Sequence, residues 1–196
     1  MVATIISENG KQELNRLDLD IETVIAKILE YIPKMDLIGL DHIAIHDLPE
    51  QWKKHLAEAR ASYYEKQAVN SAYIELYLKR MFKHIKSVDS LKLMFPIQCV
   101  GIAQTVFHEV GHHVERTRSH GIKKREKEEY ADSYAKKLLN KYILDNAESI
   151  NNCFNHLEKI AIEKGLSLEK LRQMRSGWEK QYSATLKEAG SFDPTA

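Results

Sequence analysis

Two imidazoles with a carboxylate directly after the first form the most chemically suggestive stretch of this chain, Gln104-Thr-Val-Phe-His108-Glu109-Val-Gly-His112-His113. On an α-helix, His108 and His112 stand one turn apart and project from the same face, within reach of one metal ion. Glu109 lies about 100° further round, an offset that suits a general base acting on water beside the metal rather than a third ligand. A random shuffle with nine His and nineteen Glu in 196 residues would give about 0.04 copies of this HExxH pattern. The plainer alternative is a surface helix with two exposed histidines.

The surrounding residues supply such a helix. No proline falls between Ile97 and Gly121, which allows up to about six helical turns. Helical stepping from His108 gathers Cys99, Ile102, Ala103, Val106, Phe107, Val110 and Val114 on an apolar back. Gly101, Gln104, Thr105, His112 and Glu115 fall with His108 on the polar front. His113 turns towards the back and reads as a packed or supporting residue. His42, His46, His55, His84 and His156 have no ligand spacing and are most simply structural.

A catalytic zinc site needs three protein ligands and an open position, so a third ligand must come from another element. The leading candidate is Glu128, in Glu128-Glu129-Tyr130-Ala131-Asp132-Ser-Tyr134-Ala135. Measured from Ala131 on a helix whose apolar stripe is Ala131, Ala135, Leu138, Leu139 and Tyr142, Glu128 lies at about 60° and Asp132 at about 100°. Both share one edge of the buried stripe, whereas Glu129 points away. Asp132 could accept a hydrogen bond from the far nitrogen of a ligand histidine and fix its tautomer. The alternative is that Glu128 is one more surface charge in a mixed run.

These elements need a scaffold. Residues 1 to 19 read as a tail or irregular lead-in. Asp20 caps a helix carrying Ile21, Val24, Ile25, Ile28 and Leu29 as far as Pro33. Leu37 to His46 alternates as a strand, and Trp52, Leu56 and Ala59 suggest a short helix or packed loop after Pro49. Ala61–Lys66 and Ser71–Leu78 form the expected strand pair, joined by a turn at Gln67 to Asn70. Two readings stand for this pair: plain core sheet, or one of the two as an edge strand offering its backbone to an extended peptide. Pro96 is read as a break before the metal helix, and Gly121 as its end. A helix follows from Lys123 to about Asn146, and two more carry stripes through Ile150, Phe154, Leu157 and Ala161, then Leu168, Leu171, Met174, Trp178 and Tyr182. Gly165 separates these last two.

A chain of 196 residues with 43% hydrophobic and 29% charged residues is long and balanced enough for one globular domain. A net charge of +1 provides no basic field for nucleic acid. Cys99 and Cys153 lie far apart without metal-ribbon spacing and read as buried free thiols. The opening residues are too short for a signal segment, so a cytoplasmic location without a membrane partner is expected. The sequence carries no signature of oligomeric state.

His108-Glu109-x-x-His112 followed by Glu128-x-x-x-Asp132 resembles the gluzincin branch of zinc metallopeptidases. More narrowly, it is similar to minigluzincins and ImmA/IrrE-type metallopeptidases, in which HExGH precedes a glutamate helix with an E-x-x-A-(N/D)-x-(F/Y)-A run. Here that run is Glu128-Glu-Tyr-Ala131-Asp132-Ser-Tyr134-Ala135. The resemblance covers about residues 37 to 144. Where ImmA/IrrE-type members continue into Leu-Leu-Met-Pro, this chain has Leu138-Leu139-Asn140-Lys141. Metzincins need a histidine at position 118, which is arginine.

The order of elements gives an expected α+β fold, which the resemblance makes zincin-like: a mainly helical domain over residues 1–146, with a small, mostly antiparallel sheet, the HExxH helix and the glutamate helix. Residues 147–196 would add C-terminal helices packed on the same domain. The resemblance also implies a Zn²⁺ endopeptidase of narrow specificity acting on a peptide or protein, with His108, His112 and Glu128 as ligands and Glu109 as general base. The donor to the negative carbonyl oxygen stays open among His113, His120, Tyr130, Tyr134 and a sheet tyrosine, with His120 freer to reach the site than His113. The competing reading is a metal-binding regulatory or partner-binding module with little or no hydrolysis. An intact Glu109 favours the enzyme.

Overall fold

The computed structural model describes residues 2–51, 53–67, 71–118 and 124–190. Among the described residues there are four strands: β1 (Ala3–Ile6), β2 (Leu40–His46), β3 (Ala61–Tyr64) and β4 (Ala72–Tyr77). The helices are α1 (Glu8–Leu17), α2 (Ile21–Leu29), α3 (Leu78–Met81), α4 (Val88–Arg118), α5 (Lys124–Glu163) and α6 (Glu169–Gly190). The architecture is α+β, as expected, with most of the chain in helices.

The sheet has the order β1-β2-β4-β3, with β3 at an edge. The β1–β2 and β2–β4 pairs are parallel and only β3–β4 is antiparallel, so the sheet is mixed, not mostly antiparallel. Parallel neighbours need a long crossover. Helices α1 and α2 supply it between β1 and β2, and residues 47–60 carry the chain from β2 past β4 to the far edge. The lead-in is also more ordered than the sequence suggested. Ala3-Thr-Ile-Ile pairs with β2, and Ser7 caps α1 by accepting from the Gly10 amide at 3.0 Å. The Asp20 cap of α2 is as expected.

Ile43, Ile45, Ile74 and Leu76 line the inner sheet face, each 0% exposed, within the same core as Ile102, Val106 and Val110 of α4. Helix α4 is long and apolar enough to cross a membrane by length and composition. Its apolar back packs in the core.

Two expected breaks are absent. Helix α4 runs through Pro96, because Leu91 before it and Cys99 and Ile102 after it are all buried and hold one continuous axis; tertiary packing outweighs the local cost of proline. Helix α5 likewise continues past Asn146, with Ala147, Ile150, Cys153 and Phe154 extending its buried stripe. The position between 146 and 147 therefore falls inside a helix. Gly165, at φ +62, ends the turn before α6 as expected. Trp52, the turn residues 68–70 and Gly121 lie outside the described residues.

The outer sheet face carries a buried ion pair. Lys53 Nζ lies 2.7 and 2.8 Å from the two Glu75 oxygens, Tyr77 donates to Glu75 at 2.6 Å, and the ammonium sits 4.5 Å from the Tyr64 ring centroid. The pair fastens the 47–60 connection to β4. Burial acts to raise the Glu75 pKa, but the Lys53 and Tyr77 hydrogen bonds outweigh it and hold the carboxyl below its ordinary value of 4.5. Burial similarly opposes the Lys53 charge, and Glu75 overcomes it, leaving the amine above 10.5.

Glu75→Gln should therefore cost about 3–5 kcal/mol at neutral pH by stranding Lys53, measured by urea denaturation. In wild type the carboxylate's contribution is present above pH 4.5 and lost as pH falls through its lowered folded value. The lysine's contribution is present below pH 10.5 and lost as pH rises through its raised folded value.

Candidate metal centre

The apolar back read from the sequence fixes which side of α4 meets solvent. Ile102, Ala103, Val106, Phe107, Val110 and Val114 are each at most 1% exposed, which turns His108 and His112 outwards. Helix α5 crosses this front, burying Ala131, Ala135, Leu138, Leu139 and Tyr142. Its first turns thereby deliver Glu128 and Asp132 to the histidines.

The approach depends on Gly111. A Cβ there would lie 2.8 Å from the Cα of Ala131 and 3.0 Å from its carbonyl oxygen, so any side chain would push the helices apart. The small residues of both helices thus set the depth at which Glu128 reaches α4.

Nε2 of His108 and Nε2 of His112 are 3.1 Å apart, and Glu128 Oε2 lies 3.5 and 3.6 Å from them. Metal–ligand distances near 2.0–2.1 Å in a tetrahedron require donors about 3.3 Å apart, so the three atoms fit one small cation. Two imidazoles and a carboxylate suit Zn²⁺ chemically. Asp132 Oδ1 lies 3.0 Å from His108 Nδ1. An Nδ1–H donating to this carboxylate leaves the Nε2 lone pair facing the cluster. Burial and the neighbouring His108 push the His112 pKa down, which favours the neutral, ligating imidazole.

Glu109 is 8% exposed beside this cluster. Burial, reinforced by the nearby Glu128 charge, pushes its carboxyl up to about 7, against the opposing hydrogen bond from the Tyr63 amide. Its conjugate base can therefore accept a proton near neutrality and return it.

A cleft of about 470 Å³ lies over these groups, walled by β3 residues Ala61 to Tyr64, by Glu65, and by His55, Leu56, Glu115 and Lys127. The Arg60 carbonyl accepts from the Tyr77 amide. By strand alternation, Ala61, Tyr63 and Glu65 therefore turn their backbone groups away from β4, towards the cleft side.

The expected hydrogen-bond donors fare differently. Tyr134 donates to Asp36 at 2.8 Å, and Tyr130 is exposed and stacks on Tyr134; neither lines the cleft. His120 lies outside the described residues. His113 is 2% exposed and bonded to Tyr63 and Ile38, so it packs, as the sequence suggested. His55 was read as structural, yet among the described residues it is the one imidazole of the cleft wall besides His108 and His112. No spacing in the sequence could have found it, since only the 47–60 crossover brings it there. Glu115, assigned to the polar front, is 3% exposed and lies 3.7 Å from Lys127.

Comparison with family models, with curated proteins and with solved structures found no match for this chain.

Gly111→Ala is expected to destabilise the fold by about 1–3 kcal/mol through overpacking. Urea denaturation of the metal-free protein measures it. An unchanged midpoint would show that α4 and α5 can separate at no cost.

Proposed function

We propose that this chain is a zinc-dependent endopeptidase of the gluzincin type, related in mechanism to minigluzincins and ImmA/IrrE-type metallopeptidases. The observation that carries the reading is the convergence of His108, His112 and Glu128 on one point, with Glu109 buried beside it and raised towards neutrality. A purely structural metal site has no use for a base next to an open position.

His108, His112 and Glu128 would hold the ion, with Asp132 fixing the His108 tautomer. A bound Zn²⁺ supplies Lewis acidity, polarising a carbonyl and making water a stronger acid. The remaining work falls to the protein. An extended peptide lies along β3, whose outward backbone groups fix its register by strand addition. Glu109 takes a proton from the attacking water and passes it to the departing amine. His55, which also lines the cleft, offers an N–H to the carbonyl oxygen as it becomes negative. Narrow specificity follows from the small cleft and from the charged Glu65, Glu115 and Lys127 around it. A cytoplasmic location belongs to the same reading.

A partner-binding role draws on a different feature. Helix α6 packs on α5 through Trp178, which donates to Asn151 at 2.8 Å, while Ile162, Leu166, Met174 and Leu186 stay exposed. Such a surface could recognise a protein with the metal serving only to brace the fold.

Three variants separate the readings. Glu109→Gln should keep about one zinc and lose cleavage of an unbiased peptide library by about a hundredfold or more. Glu128→Ala should lose the metal. Asp132→Ala should weaken Zn²⁺ binding about 10- to 100-fold in competition with a chromophoric chelator. Zinc binding by a wild type that cleaves nothing would favour the partner-binding role, and failure to bind zinc would refute both.

A further inference from the structure

Tyr63 has two polar groups that point in different directions. Its backbone N–H faces away from β4 into the cleft shared with the Glu109 carboxyl, whose pKa it lowers, and its hydroxyl lies 3.1 Å from Nδ1 of His113. The other ring nitrogen of His113, Nε2, lies 3.0 Å from the Ile38 carbonyl. A carbonyl oxygen can only accept, so Nε2 carries the proton and Nδ1 is left as the acceptor. The Tyr63 hydroxyl is therefore the donor, and the two bonds form a continuous relay from β3 through α4 to the segment preceding β2.

Packing fixes the same arrangement. The Tyr63 and His113 rings meet edge to face with centroids 5.5 Å apart. Gly39, at φ +87, turns the chain beside the imidazole, and a Cβ there would lie 3.8 Å from His113 Cε1. Consecutive histidines thus have different tasks: His112 faces the cleft, and His113 faces the scaffold.

Strand β3 needs such an anchor. It has four residues and, among the described residues, pairs only with β4, so no described strand supports its other edge. That free edge is where the Tyr63 amide meets Glu109. We propose that His113 is a positioning residue whose imidazole clamps β3 to α4 through the Tyr63 hydroxyl and so fixes the amide that orients Glu109. The catalytic meaning of the clamp rests on the peptidase reading, whereas the clamp itself does not.

Residue-resolved amide hydrogen exchange tests it in the zinc-loaded full chain, using wild type, Tyr63→Phe, His113→Phe and the double variant. Each single change should speed exchange at position 63 about three- to tenfold, the effect of one hydrogen bond. The double variant should be no faster than His113→Phe alone, and β1 and β2 amides should keep their protection. Unchanged protection at position 63 in Tyr63→Phe, or multiplying effects in the double variant, would overturn the clamp. Should His113→Phe fail to fold, Tyr63→Phe decides alone, since it deletes a single oxygen.

A peptide library assayed in parallel addresses the reading beneath. A wild type that cleaves nothing removes the peptidase reading and leaves the exchange result to judge the clamp. With an active wild type, Tyr63→Phe should lower kcat three- to tenfold on the best-cleaved peptide, and the looser β3 edge should raise KM as well. An unaltered kcat despite faster exchange would sever the clamp from Glu109.

Discussion

The close approach of α4 and α5 at Gly111 and Ala131 governs the candidate centre. Neither helix carries enough donors alone: α4 brings two imidazoles, and α5 brings the carboxylate that completes the set and the one that supports His108. Their relative depth is set by backbone contact rather than by adaptable side chains. Such contact is stiff, because overlap at a Cα cannot be relieved by changing a rotamer. A geometry that must hold three donor atoms within a few tenths of an ångström benefits from that stiffness.

The sheet contributes in a different way. Its inner face gives α4 a surface to bury against, while its edge strand touches Glu109 directly. The same carboxyl is shielded enough to be raised towards 7 and held by one amide. Burial and orientation are thus supplied together. On the outer face, the Lys53–Glu75 pair secures to β4 the connection that brings His55 to the cleft.

The helical faces around the centre were legible because periodicity records burial one turn at a time. The apolar residues assigned to the back of α4 are buried, and Glu128 and Asp132 emerge on the edge of α5 that meets the histidines. Strand direction was not legible, since Ala3-Thr-Ile-Ile contains no signal for a partner some forty residues away. Pro96 and Asn146 were misread because local breaking tendencies compete with burial that lies outside the sequence window. Tyr134 looked available from its helix position, but Asp36, distant in sequence, takes its hydroxyl. His55 was missed for the converse reason, since its place depends wholly on the crossover.

The distribution of contacts along the chain also bears on how the molecule assembles. Helices α4 and α5 are consecutive, so the residues whose pairing gathers the ligands lie close together in the sequence. The parallel sheet instead joins Thr4 to Ile43 and Ile43 to Ile74, and each pairing must first overcome the entropy of a much longer loop. The helical hairpin is consequently the part of lower contact order. Its ligand-bearing turns can meet on a faster timescale than the four strands can find their order, which makes the hairpin a natural nucleus on which the sheet condenses.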